Sequence, residues 1–164
     1  PGVGSFNKAM TIIRSKKIDL SIKESLEKGG KILGICLGMQ LLAISSEEDG
    51  FNYGLGLIEK KVEKFSFSEV TGMKIPHVGF NSVFSTSNNI LYRKILDRSD
   101  FYFGHSYRIS ASNKEDEFSY FNYGNDFVAS YEINNVFGTQ FHPEKSQSNG
   151  LILLKNFVES SSNC

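Results

Sequence analysis

Residues 31–44, KILGICLGMQLLAI, constrain the fold more than any other stretch of the chain. An apolar run climbs to Cys36, passes between Gly34 and Gly38, and continues as an apolar sequence holding one glutamine, Gln40. A bilayer span needs about 20 uninterrupted apolar residues, so this run is too short and too broken to be one. It reads as a buried strand, a tight turn at Cys36, and a helix from about Leu37 to Ser46 that closes in the polar SSEEDG. Upstream, residues 19–28 space Leu20, Ile22 and Leu26 along one helical face and stop at Gly29-Gly30. Helix, strand, turn and helix in that order are the grammar of a parallel sheet covered on both faces.

The middle of the chain follows a different pattern. LIEKKVEKFSF alternates as a strand, and MKIPHVGFNSVF continues as an extended segment broken by Pro76. NNILYRKIL predicts a short helix, and DFYFGHSYRIS a strand with an aromatic core. DEFSYFNYGNDFVASYEINNVFGTQFHP holds antiparallel strands, with Asn134-Asn135 as a two-residue turn that tolerates positive φ. The closing SQSNGLILLKNFVES predicts a helix with Leu151, Leu154, Phe157 and Val158 on one stripe. No repeat, linker or low-complexity tract interrupts the 164 residues, so the expectation is one α/β domain, residues 1–164, with a mixed sheet.

Charge excludes several classes. Lysine plus arginine and aspartate plus glutamate number 18 each with no long block of either sign, so the basic footprint of a nucleic-acid binder is missing. Nothing in the pattern points to a membrane surface. Cys36 and Cys164 sit at unrelated places, the second after a polar SSSN tail, which argues against a structural disulfide and for a reduced, cytoplasmic context. His77, His105 and His142 form no ligand pattern with the cysteines, so neither a metal nor another cofactor is implied. The chain opens on PGVGSF, which reads as the end of a strand running into a turn, and a preceding segment is expected.

A buried free cysteine is usually a small hydrophobe. Cys36, however, falls where ligands of open parallel sheets sit, beyond the carboxyl end of a strand. GICLG resembles the G-x-S-x-G nucleophile elbow with cysteine in place of serine. Such a turn sets the thiol against a helix N-terminus, which favours thiolate, and aims the Leu37 amide at an oxyanion. At the other end of the chain, FGTQFHPEKS carries His142 and Glu144 around Pro143 at an apparent strand end. In extended backbone, residues two apart share a side at roughly 6.5–7 Å, so the carboxylate can orient the imidazole. Cysteine, histidine and glutamate then form a nucleophile, a base and its orienter.

With both segments in view, GICLGMQLL and GTQFHPEKSQSNGLILLKNF resemble the class I, triad-type glutamine amidotransferases, and in particular the glutaminase subunit of imidazole glycerol phosphate synthase. PGVGSFNKAM, GLGLI, KIPHVGFNSV and YFGHSYRI follow in the family's order. The resemblance implies a flavodoxin-like three-layer sandwich whose central sheet is mostly parallel with an antiparallel portion. It implies hydrolysis of L-glutamine through a thioester on Cys36, with His142 moving the proton and Glu144 orienting it. Val3 and Gly4 match the oxyanion strand, and Leu37 and Gly38 the turn after the nucleophile. Gln40 matches a substrate ligand. Glu48 matches the carboxylate that pairs with the substrate's amino group, although adjacent Glu47 leaves that assignment open by one position. Ser106 and Tyr107 match a segment contacting substrate through backbone, and His105 reads as structural.

The same resemblance implies that ammonia passes to a partner synthase, a (β/α)8 cyclase bound as a heterodimer, with Pro76, Val78, Phe80, Asn81 and Lys145 at interface positions. Two departures stand out. The family has tryptophan where this chain has Phe80, and its first βα unit, about 40 residues carrying DYG-x-GN, is absent from these residues. Three alternatives stay open: the same chemistry serving an amidino-sugar synthase, a stand-alone γ-glutamyl hydrolase, and a non-catalytic interaction module.

Overall fold

A computed structural model describes residues 1–2, 4–85, 89–111 and 117–161. The chain begins with two helices, α1 (Phe6–Ser15) and α2 (Ile18–Glu27), joined through Lys17 in a left-handed conformation. α1 buries Phe6 and Met10, one turn apart, against Leu37 and Leu41. α2 buries none of its residues: Leu26 packs partly inward, but Leu20 is 56% exposed, so the expected face is only half used. Gly29, at φ 83, ends the helix.

β1 (Ile32–Ile35) leads into Cys36 and α3 (Leu37–Leu41), which is shorter than predicted. The residues expected to continue that helix form β2 (Ala43–Ser46). The cause lies downstream in GLGLI. The amides of Leu55 and Gly56 donate to the carbonyls of Leu41 and Ala43, and those of Leu57 and Ile58 to that of Leu42, taking the acceptors a longer helix would need. Gly54 makes this approach possible, because a Cβ there would lie 2.2 Å from the Ala43 oxygen. The strands that follow are β3 (Asn52–Tyr53), β4 (Ile58–Lys64), β5 (His77–Phe84), β6 (Arg98–His105) and β7 (Tyr107–Arg108). NNILYRKIL contributes only a short 3-10 turn, Ile90–Tyr92. β8 (Phe118–Tyr123), β9 (Asn125–Ile133) and β10 (Val136–Thr139) complete the strands, and α4 (Gln147–Ser161) closes the described chain.

Six strands form one sheet in the order β1-β10-β9-β8-β5-β6, and four form another, β3-β2-β4-β7. The α/β mixed architecture is the expected one, with the antiparallel portion larger than expected among the described strands. Only β1–β10 and β2–β4 run parallel. The β9–β10 hairpin turns over the expected pair, Asn134-Asn135, but only Asn134 has positive φ, 53, so the pair does not form the type I′ turn its sequence predicts, in which both residues do.

Alternation along the strands splits the core into two layers. Leu33, Phe121 and Phe137 face the side covered by Leu153 and Phe157 of α4. Ile32, Tyr120 and Val136 face the opposite side, where α3 and the smaller sheet supply Met39, Ala43 and Val62. On α4 the inward residues are Leu153 and Asn156, with Phe157 partly buried. Leu151 and Val158, expected on the packed stripe, are 68% and 61% exposed. Asn156 turns inward because its side-chain amide donates to the carbonyls of Leu91 and Arg93. Among the described residues no helix is long and apolar enough to cross a membrane.

Candidate active site

The parallel pairing of β1 with β10 delivers Ile35 opposite Thr139, so residues 36 and 140–142 leave the sheet at the same edge. Cys36 sits there with φ 53 and ψ −109, a conformation L-residues rarely hold. It is kept by its surroundings: the Cys36 amide donates to the Thr139 carbonyl at 2.7 Å, and Gly2 bridges Cys36 in parallel. Gly34 lets the turn close, since a Cβ there would come within 2.6 Å of the Gly38 and Met39 backbone. Gly38 is therefore the backbone that Gly34 packs on, and it lies outside the cavity lining.

Cys36 is a buried free thiol. Burial pushes it up to about 11, against the Leu37 amide, which favours thiolate; Glu144 adds to the rise and Lys145 opposes it. The expected pull of the helix N-terminus toward thiolate is present at the Leu37 amide, but burial outweighs it. A helix of 5 residues supplies little field, and desolvation exceeds it. The Leu37 amide also donates, at 3.4 Å, to the Gly2 carbonyl. Val3 lies outside the described residues, as does Cys164; Gly4 lines the cavity.

His142 and Glu144 meet as expected, by a different local geometry. Pro143 opens a 3-10 turn, Pro143–Lys145, in place of extended backbone, because the Lys145 and Ser146 amides fold back onto the carbonyls of His142 and Pro143. The pair is still made: His142 Nδ1 lies 2.7 Å from Glu144 Oε1. A carboxylate only accepts, so Nδ1 carries the proton, and in the neutral ring Nε2 is the acceptor. His142 is buried, while the Glu144 side chain is 46% exposed. Ser146 braces the turn, accepting from the Tyr102 amide at 2.9 Å and donating to the His142 carbonyl at 2.6 Å. α4 presses against the same turn through Gly150, where a Cβ would lie 1.8 Å from the Pro143 oxygen.

One cavity of about 350 Å³ collects Cys36, Leu37, Gln40, Glu48, Ser106, Tyr107 and His142. Glu48 lines it, with Oε2 accepting from the Phe6 amide at 2.7 Å, whereas Glu47 is exposed and lies outside the lining. The Gln40 amide nitrogen donates to the Tyr107 carbonyl and to Gln140 Oε1, each at 3.0 Å, which leaves only its oxygen for a ligand. Pro76, after a cis peptide bond, and Val78 also line the cavity, with Lys145. Phe80 and Asn81 stand outside it. Phe80 is 51% exposed with its ring edge-on to Tyr102, over which Lys145 Nζ sits at 5.7 Å.

Four lining or contacting residues escaped the sequence reading: Tyr102, Gly104, His105 as a wall residue, and Gln140. His105 does have the structural bonding expected of it, with Nδ1 donating to the Tyr107 carbonyl at 2.7 Å and Nε2 facing His77 Nδ1 at 3.3 Å. Burial drives both rings down, His105 to about 3 and His77 to about 4, so the pair is neutral. Gln140 stands two residues before His142, and that proximity was the available signal. A larger hollow of about 760 Å³ lies between Phe80, Arg98 and the start of α4 and holds none of the nucleophile, base or orienter. Among the described residues no cluster of histidine, cysteine, aspartate or glutamate could hold a metal ion.

The family described as "Glutamine amidotransferase class-I" matches residues 1–160. The imidazole glycerol phosphate synthase subunit HisH of Leptospira borgpetersenii is 45% identical over 96% of this chain and 78% of its own. HisH 1 of Campylobacter jejuni subsp. jejuni is 46% identical with the same two coverages, 96% and 78%. The fold is also similar to a crystal structure of a glutamine amidotransferase from Thermotoga maritima, with a TM-score of 0.60 at 20% identity, covering 99% of this chain and 60% of that one.

Proposed function

The chain belongs to the class I glutamine amidotransferases and is a glutaminase subunit of the HisH kind, and from that premise we propose that Cys36, His142 and Glu144 hydrolyse L-glutamine and pass the ammonia to a (β/α)8 cyclase that closes an imidazole ring. The observation that carries the reading is the constellation itself: a strained cysteine turn and a carboxylate-oriented histidine on one cavity of about 350 Å³.

His142 Nε2 takes the Cys36 proton as the sulfur attacks the substrate's side-chain amide carbon. The tetrahedral intermediate collapses when the imidazolium protonates the departing nitrogen, releasing ammonia and leaving a γ-glutamyl thioester. Water, deprotonated by His142, then cleaves the thioester to glutamate and restores the thiol. Glu144 stabilises the imidazolium twice in each cycle. Glu48 receives the substrate's amino group, the oxygen of Gln40 accepts from substrate, and the backbone of Ser106 and Tyr107 forms the facing wall. The Leu37 amide stabilises the oxyanion once it is released by the Gly2 carbonyl, a movement of the backbone at Gly2. That requirement fits weak turnover alone and faster turnover when a partner is loaded.

Exposed Val78 and Phe80, next to cavity-lining Pro76 and Lys145, offer the docking face, with Asn81 on the same strand. The test is co-expression of the full-length protein with barrel synthases, followed by glutaminase assay. Stimulation by an imidazole-forming cyclase supports the assignment. Stimulation only by an amidino-sugar synthase, or full activity with no partner, moves the protein to one of those alternatives.

A further inference from the structure

We propose that Gln140 is a further catalytic residue, whose side-chain amide donates to the sulfur of Cys36 and is held in that orientation by Gln40. Gln140 Nε2 lies 3.9 Å from Cys36 Sγ. Which end of the carboxamide faces the sulfur follows from its neighbours. The Tyr107 carbonyl can only accept, so the Gln40 atom 3.0 Å from it is the nitrogen. That nitrogen's second hydrogen points to Gln140, so the Gln140 atom receiving it, also at 3.0 Å, is the oxygen. The Gln140 nitrogen is then the end turned to the sulfur.

Both backbones are pinned, since Ile35 pairs with Thr139 and the Cys36 amide donates to the Thr139 carbonyl. Gln140 has no solvent exposure, so water does not compete for its hydrogens. The Tyr107 carbonyl is in turn fixed by His105 Nδ1, which the neutral His77–His105 pair supplies. An N–H directed at a thiol is a weak bond. As the Cys36 proton leaves for His142 the sulfur gains charge and the bond becomes charge-assisted, so it favours the ionised state over the resting one. Gln140 keeps both of its protons throughout. The inference rests on the glutaminase reading for its effect on turnover, and on the thiol alone for its effect on reactivity.

The experiment uses the full-length protein, its Gln140→Met variant, which keeps the length of the side chain and removes the donor, and Gln140→Glu. Alkylation of Cys36 by iodoacetamide is followed on the Cys36 peptide. The expected result is a rate about tenfold slower in Gln140→Met, and slower still in Gln140→Glu, whose carboxylate repels the thiolate. With the partner present, kcat falls about tenfold to a hundredfold while KM for glutamine stays within about twofold. If either variant fails to fold, the side-chain amide resonance of Gln140 in the 15N-labelled wild type is expected to move when Cys36 is alkylated. Folded variants that alkylate as fast as wild type, or an amide resonance that does not move, overturn the proposal. Wild type that hydrolyses no glutamine with any synthase, but whose Gln140 variants still alkylate slowly, overturns the glutaminase reading and supports this one.

Discussion

At the Cys36 sulfur a short helix and a loss of solvent act in opposite directions, and burial is the larger effect. The thiol is therefore neutral at rest, and its proton leaves during attack. Its alkylation rate is expected to rise about tenfold per pH unit from neutral upward, without a plateau until close to the thiol's value of about 11. A plateau near neutral pH would show a resting thiolate. Because this acid is weaker in the folded state, the unfolded chain loses its proton first, so Cys36 reduces stability as pH rises from 9 to 11. Cys36→Ser is expected to abolish labelling by a glutamine-mimicking electrophile, and labelling that persists at Cys164 would remove Cys36 from its role. Glu144→Gln keeps the shape beside Nδ1 but not the charge that stabilises the imidazolium. It should lower kcat by roughly a hundredfold or more, with little change in KM.

At the scale of elements, the triad turn and the paired strands β5 and β6 can each be tested. α4 approaches the Pro143 carbonyl so closely at Gly150 that alanine must displace one of them. Gly150→Ala is expected to cost about 1–3 kcal/mol in stability and to lower kcat as well, because the displaced turn carries His142 and Glu144. Thermal melts beside steady-state kinetics would check both, and a melt unchanged from wild type would show that the approach relaxes freely. On β5 and β6, His77 and His105 are register partners held neutral by burial, at about 4 and 3 against an ordinary 6.5. Their folded values are depressed, so the unfolded chain binds protons first and stability falls as pH drops from 6.5 toward 4. His77→Phe keeps the ring stacked on Phe103 and Phe121 while removing one titrating group. Its loss of Tm on acidification should be shallower than that of wild type.

For the whole molecule, the cavity that holds the nucleophile opens beside exposed apolar side chains, the face on which the proposed partner would dock. Phe80→Asp, a charge on a side chain with 51% exposure, is expected to leave unstimulated glutaminase activity within about twofold of wild type and to reduce partner stimulation at least tenfold. Lys145 stands between these effects, over the Tyr102 ring and directly after the triad glutamate. Lys145→Ala should mainly weaken coupling to the synthase. Equal losses of basal and stimulated rates would instead assign it to the chemistry.

Much of this was legible in the residues. The strand into Cys36, the glycine beside it, the His142–Glu144 pair and the Asn134 turn are local features, set by side-chain period, backbone freedom and a spacing of two. The family resemblance adds the roles proposed for Gln40 and Glu48. Other features depended on contacts between distant segments. α3 ends at Leu41 because residues 55–58 take its carbonyls, and no local propensity in AISS signals that. Leu151 faces solvent and Asn156 the core because Asn156 finds buried acceptors at Leu91 and Arg93. Gln140 reaches the sulfur only because β1 and β10 run side by side, across a separation of 104 residues. By itself, the sequence determined which groups could react, since that is a matter of residue type and local backbone. The tertiary structure decided the protonation of Cys36 and the direction in which each buried amide points, because desolvation and hydrogen-bond pairing exist only once the chain has folded.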